Sequence, residues 1–194
     1  MTELWLVRHG QTDWNVEGRF QGQSDVPLNE AGLTQARKLA DELNGHEFAS
    51  VYSSDLKRAY QTAEIIARKV AAPLHVDPRL REICQGEWEG LLVSEVRQRY
   101  NQDFSGPYHD IAHSRAPGGE SVIEVADRLT QAADDIALAF PGQPVLLVSH
   151  GLALSALVCT AKKLPLSEVY SHIPDNAFPL VVEWPASTIE KIKK

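Results

Sequence analysis

The chain has 194 residues, of which 43% are hydrophobic and 23% are charged, the composition of an ordinary globular domain with a sizeable core. Its formal net charge of −7 makes it a poor binder of nucleic acid or acidic membranes, so any anion site must be a local basic cluster. The two cysteines, Cys84 and Cys159, are too few for a disulfide framework, and the first residues show no signal-peptide pattern. We therefore expect a cytoplasmic protein with reduced thiols.

Strands and helices are predicted to alternate through the first half of the chain. Residues 3–8 form a short apolar strand, and the polar, turn-rich residues 11–28 form a long loop. Asn29 is predicted to cap an amphipathic helix. Residues 51–53 form a second short strand, after which Asp55 is predicted to cap a helix with an apolar stripe. This order of elements is typical of strand–helix–strand units with a parallel sheet.

The second half continues the alternation around an irregular stretch, residues 103–119, which is the best candidate for a mobile flap. The spacing of Ser121 and Glu124 matches a capping box at the start of a long helix. The other predicted elements are an edge strand at 74–76, a loop at 80–90, a helix at 91–102, a central strand at 145–149, a buried helix at 152–161 and a last strand at 179–184. The buried helix is far shorter than the roughly 20 residues that cross a membrane.

This alternation predicts an α/β fold, a three-layer sandwich in which helices flank a largely parallel central sheet. The runs 4–7 and 145–148 are apolar without polar residues at alternate positions. Such runs are typical of parallel strands that are covered on both faces. The length of the chain and the even composition predict one domain over residues 1–194.

Two histidines follow the two central strands. Arg8-His9-Gly10 comes directly after the run 4–7, and His150-Gly151 comes directly after 145–149. Each glycine allows a sharp turn and a close approach of the backbone to a ligand. Because open α/β sheets bind ligands at the carboxyl ends of their strands, we expect both imidazoles at one ligand-binding edge. Two imidazoles and an arginine suit the handling of a phosphoryl group.

The residues around the first histidine resemble the signature of a known family. Arg8-His9-Gly10-Gln11-Thr12, with Asn15 three residues later, is similar to the motif of the histidine phosphatase superfamily, also called phosphoglycerate-mutase-like. Further blocks in family order lie at residues 52–63, 80–90, 117–121 and 148–151. A lone Arg-His-Gly would be weak evidence, whereas five ordered blocks in matching contexts are strong evidence. The resemblance covers residues 4 to 155 and implies the phosphoglycerate-mutase-like sandwich.

The resemblance implies catalytic roles for five residues. His9 is expected to attack phosphorus as a neutral imidazole and to form a phosphohistidine, and Arg8, Arg58 and His150 to surround the transferred group. Arg58 falls in the first turn of its helix, where backbone N–H groups also favour an anion. Glu82 is expected to act as general acid and base. Glu87 and Glu89 compete for that role, and only the resemblance favours Glu82.

Substrate binding is expected from Asn15, from Gln21 and from Gly22. His109 and His113 in the irregular stretch are expected to be exposed to solvent, with contact to the substrate as the alternative. No His-x-x-x-His or Cys-x-x-Cys spacing is present, so we expect neither a metal site nor a cofactor.

These residues predict a metal-independent phosphomonoester phosphatase that acts on a small phosphorylated metabolite. The alternatives are a cofactor-dependent phosphoglycerate mutase and a non-catalytic phospholigand-binding module. The mutases that the chain resembles are longer, and here the interval 91–116 holds only three permanent cations, Arg97, Arg99 and Arg115. The expected partner is a small phosphate ester, with no nucleic acid and no membrane, and the protein is expected to be a monomer or a homodimer.

Overall fold

A five-stranded sheet forms the centre of the computed structural model, which describes residues 1–100 and 110–185. The strands are β1 (Thr2–Arg8), β2 (Ser50–Ser53), β3 (Leu74–Val76), β4 (Val145–Ser149) and β5 (Pro179–Trp184). Their order in the sheet is β3-β2-β4-β1-β5. The first four strands are parallel, and β5 pairs with β1 in the antiparallel direction. The predicted largely parallel sheet is therefore confirmed.

Helices cover both faces of this sheet. The α-helices are α1 (Asp13–Glu17), α2 (Glu30–Glu42), α3 (Lys57–Val70), α4 (Val93–Tyr100), α5 (Val122–Ala139) and α6 (Gly151–Lys162). Short 3-10 helices lie at Pro78–Leu80, Gly86–Trp88 and Leu166–His172. Helices α2 and α3 pack on one face of the sheet, and α5 and α6 pack on the other. The sandwich therefore has the three layers that the sequence predicted.

The two central strands send side chains into both layers. Leu6 of β1 and Leu147 of β4 pack in the core beneath α5 and α6, whereas Val7 and Leu146 pack in the core beneath α2 and α3. All four side chains are fully buried. Strands covered on both faces need apolar residues at every position, which explains the continuous apolar runs in the sequence.

Two of the three predicted helix caps are confirmed and one is wrong. Asn29 caps α2 by accepting a hydrogen bond from Gly32, and Ser121 and Glu124 form the expected capping box of α5. Asp55, however, does not cap α3, which begins after Leu56 without a side-chain cap. The Asp55 carboxylate instead accepts from the Arg81 guanidinium at 2.7 Å, in a hydrogen bond between two charged groups.

The predicted loop at 11–28 also needs a correction, because it contains the five-residue helix α1. A capping box between Thr12 and Asn15 starts this helix, and Gly18 ends it in the left-handed conformation. Helix α1 buries none of its own residues, so it has no apolar stripe that a sequence pattern could reveal.

The expected flap at 103–119 lies partly outside the described residues, as does His109. Residues 110–119 contain turns but no helix or strand, and His113 is exposed as expected. Within the described ranges no helix is both long and apolar enough to cross a membrane. The prediction of one domain over the whole chain stays a prediction.

Glycine at position 32 is required by the contact between α2 and the loop after β1. A Cβ atom there would lie 2.1 Å from the carbonyl oxygen of Gln11. Gly→Ala in a helix usually stabilises by about 0.5–1 kcal/mol, but a backbone clash of this kind costs about 1–3 kcal/mol. We expect Gly32→Ala to lower the free energy of unfolding by about 1–2 kcal/mol in urea titrations. Gln98→Ala, at an exposed helix position, serves as the control, and an unchanged or higher stability of Gly32→Ala would contradict the argument.

Candidate active site

The two histidines meet at the carboxyl edge of the sheet. Strands β1 and β4 are parallel neighbours with Arg8 opposite Ser149, so the next residue of each strand is a histidine. The ring centroids of His9 and His150 are 5.1 Å apart, and the ring planes are inclined at 59°. Both residues are buried. The predicted meeting of the two imidazoles at one edge is therefore confirmed.

Hydrogen bonds define the state of the His9 ring. Its Nδ1 lies 2.7 Å from the carbonyl oxygen of Gly10, which can only accept, so Nδ1 carries the proton. The other nitrogen, Nε2, accepts from Nε of Arg58 at 3.3 Å and therefore presents its lone pair. Burial and the nearby charge of Arg58 hold the pKa of His9 well below its ordinary value. The ring is thus a neutral imidazole, the form that can act as a nucleophile.

The Arg58 guanidinium is fully buried at the start of α3. Its Nη1 donates to the carbonyl of Ser24 and its Nη2 to the carbonyl of Gly22, each at 2.7 Å. Burial lowers the pKa of Arg58 to about 10, so the group keeps its charge at neutral pH. The first N–H of α3, on Lys57, donates to Asp25 and is not a free anion donor. The Arg58 side chain therefore adds a full positive charge at this helix start.

Gly22 holds the guanidinium through its carbonyl oxygen. It has a φ of +50°, and a Cβ atom at this position would lie 2.2 Å from a carboxylate oxygen of Glu89. Only glycine fits both the conformation and the space. The structure therefore places Gly22 behind Arg58, and its contact with a substrate stays a prediction.

Two further buried nitrogens face the site without a hydrogen-bond partner among the described residues, Nε of Arg8 and Nδ1 of His150. Nη1 of Arg8 donates to the carbonyl of Pro174, and Nε2 of His150 lies 2.9 Å from Oγ of Ser54. Nε of Arg8 is always a donor, and because an unsatisfied buried donor costs about 1–3 kcal/mol, it indicates a place for a ligand that accepts hydrogen bonds. An anion meets that requirement.

Glu82 is held at the start of α6, directly after His150. Its carboxylate accepts from the backbone N–H groups of Leu152 and Ala153 at 3.2 and 3.0 Å. The competing carboxylates have other partners. Glu89 accepts from the backbone N–H groups of Gln23 and Gln85, and the exposed Glu87 accepts from the Tyr100 hydroxyl. Of the three, Glu82 is the carboxylate whose partners adjoin the second histidine, and its catalytic role stays a prediction.

The two predicted amide ligands are joined through Thr12. Oδ1 of Asn15 accepts from the backbone and the hydroxyl of Thr12 at 3.0 Å, and Oε1 of Gln21 lies 3.1 Å from the same hydroxyl. The Asn15 oxygen is thus used inside the protein, which leaves its amide N–H groups for an acceptor such as a phosphate. The Thr12 hydroxyl has one proton, for which the Gln21 oxygen competes with that of Asn15. Contact between these amides and a substrate stays a prediction.

A buttress beneath the Glu82 loop, formed by Arg128 and Glu120, was not predicted from the sequence. Arg128 donates to the carbonyls of Arg79, Arg81 and Glu82 at 2.6–2.9 Å and forms an ion pair with Glu120 at 2.9 Å. Glu120 in turn accepts from the backbone of Cys84 at 2.8 Å. An arginine on an amphipathic helix is usually at the surface, so the sequence offered no signal for Arg128.

Comparison with known proteins agrees with this geometry. The model of the histidine phosphatase superfamily, branch 1, matches residues 4–191. The chain belongs to the histidine phosphatase superfamily. This confirms the family and the enzyme class that the sequence blocks predicted, a histidine-type phosphatase.

The relatives of this histidine phosphatase differ in their named activities. A probable phosphoglycerate mutase of Proteus mirabilis is 41% identical over 85% of this chain and 77% of its own length. Phosphoserine phosphatase 1 of Hydrogenobacter thermophilus is 37% identical over 91% of this chain and 84% of its own. The solved mycobacterial glucosyl-3-phosphoglycerate phosphatase with VO3 is 33% identical, with a TM-score of 0.82 over 95% of this chain and 99% of its own. Both phosphatases and a mutase are therefore among the relatives.

The buttress of this histidine phosphatase can be tested with Arg128→Lys. Lysine keeps the charge but cannot reach three carbonyls and a carboxylate at once, so the loop of Glu82 loses its fixed position. Since a displacement of about 1 Å can cost 10²-fold in rate, we expect kcat for p-nitrophenyl phosphate to fall at least about tenfold, and the pH–rate profile to change. Arg79→Lys, in a more exposed ion pair with Asp135, serves as the control. A wild-type kcat and pH profile for Arg128→Lys would refute the assignment.

Burial of His9 in its neutral form also predicts a dependence of stability on pH. The unfolded chain binds a proton on this ring below about pH 6.5, whereas the folded chain does not, so stability falls as the pH drops through that value. We expect His9→Asn to remove a slope of up to about 1.4 kcal/mol per pH unit between pH 6.5 and pH 5 in urea titrations. The exposed His46, changed to Asn, is the control. An unchanged slope in His9→Asn would contradict a neutral buried ring.

Proposed function

We propose that this chain is a metal-independent phosphomonoester phosphatase that uses His9 as its nucleophile and acts on a small phosphorylated metabolite. The observation that carries the proposal is the buried lone pair on Nε2 of His9, which accepts from Arg58 beside the unpartnered Nε of Arg8 and Nδ1 of His150. A nucleophile surrounded by fixed cationic and neutral donors suits the attack on a phosphoryl group.

In the first step, Nε2 of His9 attacks phosphorus, the N–P bond forms and the ester P–O bond breaks. The leaving oxygen takes its proton from Glu82. In the free site, the Nε–H of Arg58 donates to Nε2 of His9. When the lone pair of Nε2 forms the N–P bond, this N–H donates to a phosphoryl oxygen instead. Arg8 and His150 supply further donors to the equatorial oxygens, where the negative charge of the transition state is spread. The Gly10 carbonyl keeps the ring oriented through Nδ1.

In the second step, water attacks the phosphorus of the phosphohistidine, and the N–P bond breaks. The Glu82 carboxylate takes the proton from the water, which restores its acid form, and Nε2 regains its lone pair. The backbone N–H groups at the start of α6 hold this carboxylate in place through both steps. Because arginine side chains supply the positive charge, the scheme requires no metal ion.

The identity to a probable phosphoglycerate mutase favours one alternative, in which the phosphoryl group returns to a bound phosphoglycerate. We favour hydrolysis because two permanent cations that the sequence offered for a second acidic group, Arg97 and Arg115, are exposed, and Arg115 is paired with Glu124. An exposed, paired cation binds a second anionic group only weakly. The proposed ligand is a small ester and neither nucleic acid nor a membrane, in keeping with the net charge of −7.

The decisive variant is His9→Ala. We expect kcat for p-nitrophenyl phosphate to fall by at least about 10³-fold, because the covalent route is lost, and an acid-labile phosphoryl label to disappear from the protein. His75→Ala, at an exposed histidine, should keep both, and excess chelator should leave the wild-type rate unchanged. Equal rates for wild type and His9→Ala would favour a binding module, and loss of activity in chelator would overturn the metal-independent scheme. With 3-phosphoglycerate, free phosphate indicates a phosphatase and formation of the isomer indicates a mutase.

A further inference from the structure

We propose that the cavity beside Glu82 receives the alcohol part of the ester and selects alcohols with an aromatic or branched apolar body. This inference rests on the proposed function and adds the substrate class to it. The cavity has a volume of about 600 Å³, which suits a small organic group.

The cavity adjoins the loop of Glu82. Ile83 and Gln85, which follow Glu82 in that loop, line it. The N–H of Ile83 donates to the Glu82 carboxylate at 3.0 Å. A general acid must reach the leaving oxygen, so the rest of the alcohol extends past Glu82 into this space.

Part of the cavity wall is apolar. Phe20 and Trp88 line it with ring centroids 5.5 Å apart, and Ile111 lies in the same lining. Trp88 packs with Val96 and Ala116 in a cluster of buried residues. Aromatic and branched side chains in fixed positions bind an apolar group without a large loss of entropy. This part of the wall therefore favours the binding of an alcohol with an apolar group, because burial of that group is favourable.

Charges in the lining are mostly paired within the protein. Glu120 is paired with Arg128 at 2.9 Å, and Arg115 is paired with Glu124 at 3.2 Å. Arg97, also in the lining, is exposed in the last turn of α4. A substrate with a second acidic group needs buried, available cations, as at a bidentate arginine site. The lining thus favours an apolar alcohol over an acidic one.

The test uses n-propyl phosphate, 3-phenylpropyl phosphate and 3-phosphoglycerate, with release of inorganic phosphate as the measurement. The first two esters leave as primary alkanols of similar acidity, so their difference in kcat/KM reports binding of the phenyl group. We expect kcat/KM for the phenylpropyl ester to exceed that for the other two by at least about tenfold, because burial of an aromatic group of this size contributes about that factor or more. 3-Phenylpropanol should inhibit competitively.

Ile111→Asn is the test variant, and Leu138→Asn, at an exposed position of α5 outside the lining, is the matched control. We expect Ile111→Asn to lower the phenylpropyl-to-propyl ratio at least about threefold, and Leu138→Asn to leave both the ratio and the propyl value unchanged. Should Ile111→Asn fail to fold, Phe20→Ala removes apolar wall by a different route and should lower the same ratio.

The outcomes separate the two proposals. If phosphate is released but the ratio is near one, if 3-phosphoglycerate is preferred, or if neither wall variant lowers the ratio, the cavity proposal is overturned and the phosphatase proposal stands. If none of the three esters releases phosphate and no acid-labile label attaches to His9, the proposed function itself fails.

Discussion

The contact between Nε of Arg58 and Nε2 of His9 is the interaction on which the site depends. It requires a guanidinium in the interior, which is costly unless its N–H groups are satisfied. The carbonyls of Gly22 and Ser24 satisfy two of them, and within the described residues no carboxylate lies within 4.0 Å of Arg58. Carbonyl dipoles therefore hold the guanidinium without a direct ion pair, although the charges of Glu82, Asp25 and Glu89 act on it from a greater distance. Both carbonyls belong to the loop after α1, so this loop must lie against the Arg58 guanidinium. That position explains why the backbone of Gly22 lies so close to Glu89.

The pairing of β1 with β4 brings together parts of the chain that are far apart in sequence. His9 and His150 are separated by 141 positions, yet the register of two buried parallel strands sets their rings side by side. A slip of one residue in either strand would turn its buried side chains to the opposite layer. The apolar packing of these two strands therefore fixes their register, and the register fixes the distance between the two imidazoles.

How much the sequence could predict depends on the range of each contact. His9 and His150 follow apolar runs and precede glycines, so local patterns were sufficient to place both at the sheet edge. The predicted cap of α3 was wrong because the Asp55 carboxylate binds Arg81, 26 residues away, and does not bind the N–H groups of its own helix. Arg128 was missed for the same reason, since its partners are backbone carbonyls about 47 residues away. Such contacts form only when the layers pack together, so the spacing of residues in the sequence does not predict them.

The start of α6 lies beside two residues of the site, Glu82 and His150. His150 stands at its N-cap position, while the N–H groups of Leu152 and Ala153 bind the Glu82 carboxylate. The N–H groups at the positive end of the helix dipole thus bind the Glu82 carboxylate, whereas the positive charges beside His9 come from Arg58 and Arg8. Because α6 binds the Glu82 carboxylate while Arg128 of α5 holds its loop, the position of Glu82 depends on two helices that pack on the same face of the sheet. The position of His150 depends on the register of β4 with β1, so the geometry between Glu82 and the second imidazole is set by the packing of α5 and α6 against the sheet.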